Sequence, residues 1–333
     1  MIRLSTRIAS ALSLVALSLP VLQASAQQEV PEAPATSLST PVPAAPVPAA
    51  PVFPKPDPAN FTAASPTKES VDAFLHYSWG YDDSRLWEVW SIEKTAADGV
   101  SKVTLLVGDK NGKEKPAVAE FFALPDGKHI IAQNDLLPFG EHPFADARTV
   151  AQQRANGPYR GSVAKDLELV EFADYQCPHC KAAQPNMDKL AVDFPKARIV
   201  FQLFPLVSIH PQSARAAAYG VCVNKAGGSD AFFTFTAAVF DGQDGLATTD
   251  GATLTLNSAV TKAGLEPDKI EACSNLPATK EAVQNMVKLA ADLNINETPT
   301  LLVNGRPVPA NAPYETIKKI VEFQAGLDGV AAH

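Results

Sequence analysis

Glu171-Phe172-Ala173-Asp174-Tyr175-Gln176-Cys177-Pro178-His179-Cys180 is the stretch from which the rest of the chain can be read. Its first half closes the run Leu167–Ala173, apolar at nearly every position, as a strand buried on both faces requires. Its second half opens a helix. Pro178 lacks an amide hydrogen, which costs nothing in a first helical turn, where amides have no intrahelical acceptor. Helical character runs from Pro178 to about Phe194, with a bend expected at Pro185, and Arg198–Phe204 is the next strand. Strand, helix, strand in that order implies a parallel pair joined by a right-handed crossover, and so an α/β fold.

Cys177 and Cys180 fall at the strand-to-helix junction. A thiolate, not a thiol, attacks a disulfide. A helix N-terminus favours the anion through its unpaired amides and partial positive charge. Cys177 is therefore the candidate exposed, attacking sulfur, and Cys180, one turn along the same face, the buried resolving one. His179, if cationic or donating, would stabilise the thiolate further. A zinc site would need two more ligands at matching spacing. A c-type haem site needs histidine after the second cysteine, where Lys181 stands. A purely structural bridge would close too short a loop to restrict the unfolded chain much. The reading is a redox pair that calls for no metal and no cofactor.

Downstream, residues 206–295 read as mainly helical, with Val283, Met286, Val287, Ala290 and Leu293 forming an apolar stripe. Thr300–Val303 and Arg306–Val308 flank Asn304-Gly305, a hairpin signal. Tyr314, Ile317, Ile320 and Val321 give a closing amphipathic helix. Upstream, residues 59–148 read as a small α+β unit. Ser65-Pro66 opens a helix carrying Val71, Phe74 and Leu75. Strand-like runs follow at Leu86–Ile92, Val103–Val107, Val118–Leu124 and Lys128–Ala132, with Asn111-Gly112 and Asp126-Gly127 as turns. Residues 27–58 are rich in proline and alanine and read as a semi-rigid tether.

At the N-terminus, Arg3 and Arg7 precede the apolar run Ile8–Leu22, and Ala24-Ser25-Ala26 follows. This is the pattern of a secretory signal cleaved after Ala26, and it implies an exported protein, in which disulfides persist. The net charge of −8 over 333 residues excludes broad contact with a phosphate backbone, so nucleic acid is not an expected partner. Four cysteines, Cys177, Cys180, Cys222 and Cys273, allow three complete pairings among which spacing does not choose.

The opening decapeptide resembles the active-site stretch of the DsbA-like thioredoxin-fold proteins, Pro178-His179 included. Thr298-Pro299-Thr300, followed by Leu301-Leu302-Val303-Asn304-Gly305, resembles that family's cis-proline segment. The resemblance covers about residues 160–328. It implies a thioredoxin-like fold with a helical insertion at 206–295, preceded by the small α+β domain. It implies that Pro299 is cis and lies against the cysteines, and that Thr298 offers backbone hydrogen bonds to a bound substrate strand. Glu171, six residues before Cys177, would sit beneath the pair and assist proton transfer from Cys180. Asp174 is the alternative acid, in a more polar, turn-adjacent role. A structural disulfide between Cys222 and Cys273 is implied in the same way. His210 reads by default as capping a turn.

The function so implied is a thiol–disulfide oxidoreductase acting on unfolded or newly exported proteins with thiols. It would be an oxidase in the periplasm, reoxidised by a quinone-linked membrane partner of the DsbB-like or VKOR-like kind. The stretch Phe121-Phe122-Ala123-Leu124-Pro125-Asp126-Gly127-Lys128-His129 resembles part of the dimerisation module of periplasmic disulfide isomerases. It implies a homodimer through the N-terminal domain. It also keeps two alternatives in view: an isomerase or reductase kept reduced by a membrane relay, and a thioredoxin-fold chaperone or adaptor.

Overall fold

The computed structural model describes residues 53–111, 116–133 and 135–333. The expected signal segment, most of the tether and Gly112 lie outside the described residues. Ten strands form two five-stranded sheets among the described residues.

The first sheet is an antiparallel meander of β1 (Arg85–Lys94), β2 (Ser101–Asp109), β3 (Ala117–Ala123), β4 (His129–Ala132) and β5 (Asp135–Pro138). Side chains alternate between sheet faces, so Val89 and Ile92, three apart, would point opposite ways in a regular strand. The register of β1 on β2 shifts between Val89 and Ser91. That extra residue returns both side chains to the core face. There they meet Val103, Leu105, Phe121 and Ile130 and the buried side of α1 (Lys68–Trp79), which supplies Val71, Phe74 and Leu75. Ser65-Pro66 does not open α1. Thr67 caps it, its side chain accepting from the Ser70 amide at 3.2 Å, and the Ser65-Pro66 peptide, which is cis, lies ahead of the cap. Thr67 holds its capping oxygen directly before the first helical residue, two residues nearer than Ser65, so it outcompetes the serine.

The second sheet has the order β10-β9-β7-β8-β6. Its centre is β7 (Glu168–Ala173), parallel to β8 (Arg198–Leu203) and antiparallel to β9 (Thr300–Val303). β10 (Arg306–Pro309) forms a hairpin with β9, and β6 (Tyr159–Gly161) lies antiparallel on β8. Every residue of β7 and β8 is buried, which is why both are mainly apolar, with Glu168, Glu171, Arg198 and Gln202 as the buried exceptions. One face of the sheet packs on α3 (Pro178–Asp193) and α8 (Tyr314–Leu327) through Leu169, Ile199, Leu301 and Val303. The other face packs on α2 (Ala145–Arg154) and α7 (Pro277–Asp292) through Val170, Phe172, Val200 and Leu302.

Between β8 and β9 lie four helices: α4 (Ser213–Asp241), α5 (Thr249–Lys262), α6 (Pro267–Ser274) and α7. α4 breaks at Gly228, whose φ of 70° is one that glycine adopts at little cost. α2, β5 and β6 have no counterpart in the sequence expectations.

Arg306 on β10 is buried and joins the two sheets' layers. Its guanidinium donates to the Ser78 carbonyl at 3.0 Å, to the Tyr77 carbonyl, and to Gln324 Oε1 at 2.9 Å. Tyr77 and Ser78 end α1, where carbonyls lack helical partners and carry partial negative charge. The planar fork thus satisfies two segments at once, with the Phe144 ring 4.6 Å away beneath it.

Candidate active site at the head of α3

β7 ends at Ala173, and the chain turns through Asp174-Tyr175-Gln176 into α3. The Cys177 amide donates to the Asp174 carbonyl at 3.1 Å, which closes the turn. Cys177 is the N-cap, with extended φ and ψ of −75° and 118°, and Pro178 begins the first helical turn. The Cys180 and Lys181 amides donate back to the Cys177 carbonyl at 3.1 and 3.3 Å. This places Cys177 Sγ over the open end of the helix.

Both cysteines are free thiols, 5% and 0% exposed. Cys177 is therefore shallower than Cys180, but more covered than an exposed nucleophile would be. The cover comes from Thr298, whose carbonyl lies 3.6 Å from Cys177 Sγ, and from Gln243, whose Nε2 donates to the Tyr175 and Cys177 carbonyls at 2.8 and 3.0 Å.

The two sulfurs are driven apart in acidity. A hydrogen bond from the Cys180 thiol, aided by Thr298 and the Cys180 and His179 amides, lowers the Cys177 thiol to about 5 against burial. Burial pushes the Cys180 thiol far up, since a charge there loses its water. The His179 backbone amide contributes to the lowering of Cys177, and the residue is exposed beside Pro178.

The Thr298-Pro299 peptide is cis, and Pro299 is buried. Thr298 Oγ1 is buried and acts on both cysteine sulfurs, favouring the charged form of each. Glu171 lies at the centre of β7, in register with Phe201 on β8 and Leu301 on β9. Burial raises its carboxyl to about 7, and a hydrogen bond from Gln184 opposes that rise. Gln184 Nε2 also donates to the Cys180 carbonyl at 3.2 Å, so the acid is tied to Cys180 through one side chain. Asp174 is buried in the turn and accepts from His210 at 2.8 Å.

Cys177, Cys180, Thr298 and Pro299 thus meet at one end of the second sheet, while Glu171 lies further back along β7 and reaches Cys180 through Gln184. Cys222 and Cys273 sit apart, joined by a disulfide between α4 and α6 with a Cα–Cα distance of 6.0 Å. Gln184 and Gln243 had no place in the sequence reading. Gln184 could have been found, being four residues after Cys180 on the same helix face. Gln243 is 66 residues from the cysteine it supports, and no local pattern marks it. Among the described residues no cluster of histidine, cysteine or acidic side chains could hold a metal ion.

Against known proteins, the family model described as Thioredoxin matches residues 153–323. Disulfide bond formation protein D of Bacillus subtilis is 30% identical over 173 residues, which cover 50% of this chain and 75% of that protein. The Na(+)/H(+) antiporter NhaA 3 of Salinispora tropica is 30% identical over 149 residues, 44% of this chain. The chain spans 21% to 26% of the length of the curated antiporters it matches. Among solved structures, the catalytic domain of Proteus mirabilis ScsC aligns with a TM-score of 0.47 and 21% identity, covering 55% of this chain and 99% of that one.

Proposed function

The chain belongs to the thioredoxin family, as one of its DsbA-like thiol–disulfide oxidoreductases, and on that premise we propose that it passes a Cys177–Cys180 disulfide to the thiols of exported proteins as an oxidase. The observation that carries this reading is the split between the two sulfurs, with Cys177 lowered to about 5 and Cys180 pushed far up. A thiolate so favoured stabilises the reduced form, which makes the disulfide the stronger oxidant. Substrate would lie along Thr298 and Pro299, the backbone nearest Cys177.

The rest of the assignment follows the same premise. Residues 59–148 and 160–328 are the two domains, secretion removes the chain up to Ala26, and a quinone-linked membrane oxidase of the DsbB-like or VKOR-like kind restores the disulfide in the periplasm. The test is the reduction potential with activity alongside. Cys177→Ala should abolish oxidation of a reduced protein substrate. The potential should lie well above the roughly −270 mV of thioredoxin, and a value near that figure would turn the reading to a reductase.

One observation favours a second reading, an isomerase or binding protein that works as a homodimer through the first domain. Phe122, Ile131 and Leu136 face each other across β3, β4 and β5 and are 41%, 39% and 56% exposed. Such a stripe on an outer sheet face fits a partner surface better than water. Sedimentation equilibrium of the wild type and of Phe122→Glu decides it, and a monomeric wild type at micromolar concentration rules out the dimer.

A further inference from the structure

Asp174 spends every polar atom it has on the cysteine loop and its support. Its carbonyl accepts from the Cys177 amide, and Oδ1 accepts from the Gln176 amide at 2.8 Å. Oδ2 accepts from the Leu206 amide at 2.7 Å and from His210 Nδ1 at 2.8 Å. Its own amide donates to Cys180 Sγ at 3.4 Å. The carboxylate is wholly buried and the His210 side chain is 17% exposed. An ionised carboxylate only accepts, so Nδ1 carries the hydrogen. Among the described residues, His210 is the only side chain that donates to this carboxylate, the other donors being backbone.

We propose that His210, acting through Asp174, is a positioning residue for Cys180: it fixes the Asp174 peptide so that its amide faces the Cys180 sulfur while that sulfur carries charge. The proposal rests on the exchange reading above. In that reaction a substrate thiolate attacks Cys177 Sγ and forms the mixed disulfide. The Cys177–Cys180 bond breaks, its electron pair goes to Cys180 Sγ, and that sulfur then takes a proton. The substrate sulfur is oxidised and Cys180 is reduced. In reverse, the Cys180 thiolate attacks Cys177 Sγ and expels the substrate thiolate. Either way charge develops on a sulfur that has no exposure to water. A fixed donor aimed at that charge lowers the barrier in both directions. It barely changes the end states, in which Cys180 is either bonded or protonated.

The experiment compares wild type, His210→Ala and His210→Asn, reacting each oxidised protein with dithiothreitol by stopped flow. Asparagine keeps an N–H close to the Nδ1 position. His210→Ala should slow exchange about tenfold in both directions, the loss of one hydrogen bond to a charge-bearing group. The reduction potential and the rate of Cys177 alkylation should stay at wild-type values. His210→Asn should recover most of the rate. His210→Leu replaces the alanine variant if that one does not fold. Wild-type exchange rates in the alanine or leucine variant would overturn the proposal, as would a folded His210→Asn as slow as the alanine variant. A potential or Cys177 reactivity that moves with the rate would also overturn it, by showing that the whole site had shifted. If wild-type exchange persists in Cys177→Ala, the underlying reading fails and this inference falls with it. A Cys177-dependent enzyme indifferent to residue 210 sinks this inference alone.

Discussion

Gln184 Nε2 donates to the buried Glu171 carboxylate at 2.8 Å. The glutamine stands one helical turn past Cys180 on α3, and the acid stands in the middle of the central strand β7. A carboxyl in such a place holds its proton unless something pays the cost of charge, and one amide hydrogen bond offsets only part of it.

That relationship sets a pH dependence. Glu171 is raised from 4.5 to about 7 in the folded chain. Between those values the native state keeps a proton that the unfolded state gives up. Stability from this group is therefore fully present below about 4.5 and is lost as pH rises through about 7. The loss is on the order of 3 kcal/mol. Glu171→Gln should flatten that slope and be the more stable protein at pH 8. Urea unfolding at pH 5 and pH 8 measures it, and parallel behaviour of the two proteins would refute the assignment.

Cys177 has the opposite sign. Its thiol falls from 9.0 to about 5, so the reduced native state gains stability that is complete above pH 9 and is lost as pH falls through about 5. Reduced protein should resist urea better than oxidised protein at pH 7, with the gap closing towards pH 4. Iodoacetamide alkylation of Cys177 in a Cys180→Ala background should show a higher midpoint than the intact pair, because the main donor to the thiolate is then gone. In the intact protein the midpoint should be near 5. A midpoint near 9 in the intact protein would contradict the geometry.

Arg306 offers a test of how the two sheets' layers are coupled. Replacing it with methionine leaves the Tyr77 and Ser78 carbonyls and Gln324 Oε1 without their donor. The expected cost is about 3 kcal/mol, from lost hydrogen bonds to a buried cation. Lysine should not restore it, because a single ammonium cannot span the three acceptors. Chemical denaturation gives the energy. Faster proteolysis of the segment after Trp79 would localise the loosening.

The parts of the fold that could be read in advance are those whose burial is uniform. β7 and β8 bury all their residues, so four of the six positions in each are apolar and the runs stand out, and a cysteine before a proline marks where the helix must start. α2 buries only Ala151 along its length, so it leaves no stripe to detect. β6 spans three residues on a sheet edge, too few for a period. In the active site, residue types that carry reactivity were legible. The amides that orient them were not. Glutamine has no periodic signature, and the reach of Gln243 to the Cys177 carbonyl depends on how four helices fold back over the sheet. The same holds for His210, whose partner lies 36 residues earlier.

The connections on either side of α4, Leu206 to Gln212 before it and Gln243 to Leu246 after it, therefore act as scaffolding for the turn at residues 174–177. Gln243, the Leu246 carbonyl, the Leu206 and Gln212 amides and His210 all grip residues 174–177. A protein engineer who trimmed this chain to a minimal thioredoxin by excising residues 206–295 would keep both cysteines and the cis-proline segment. The excision would strip the turn of every clasp that comes from the insertion, and the reactive pair would have to be re-tuned from the beginning.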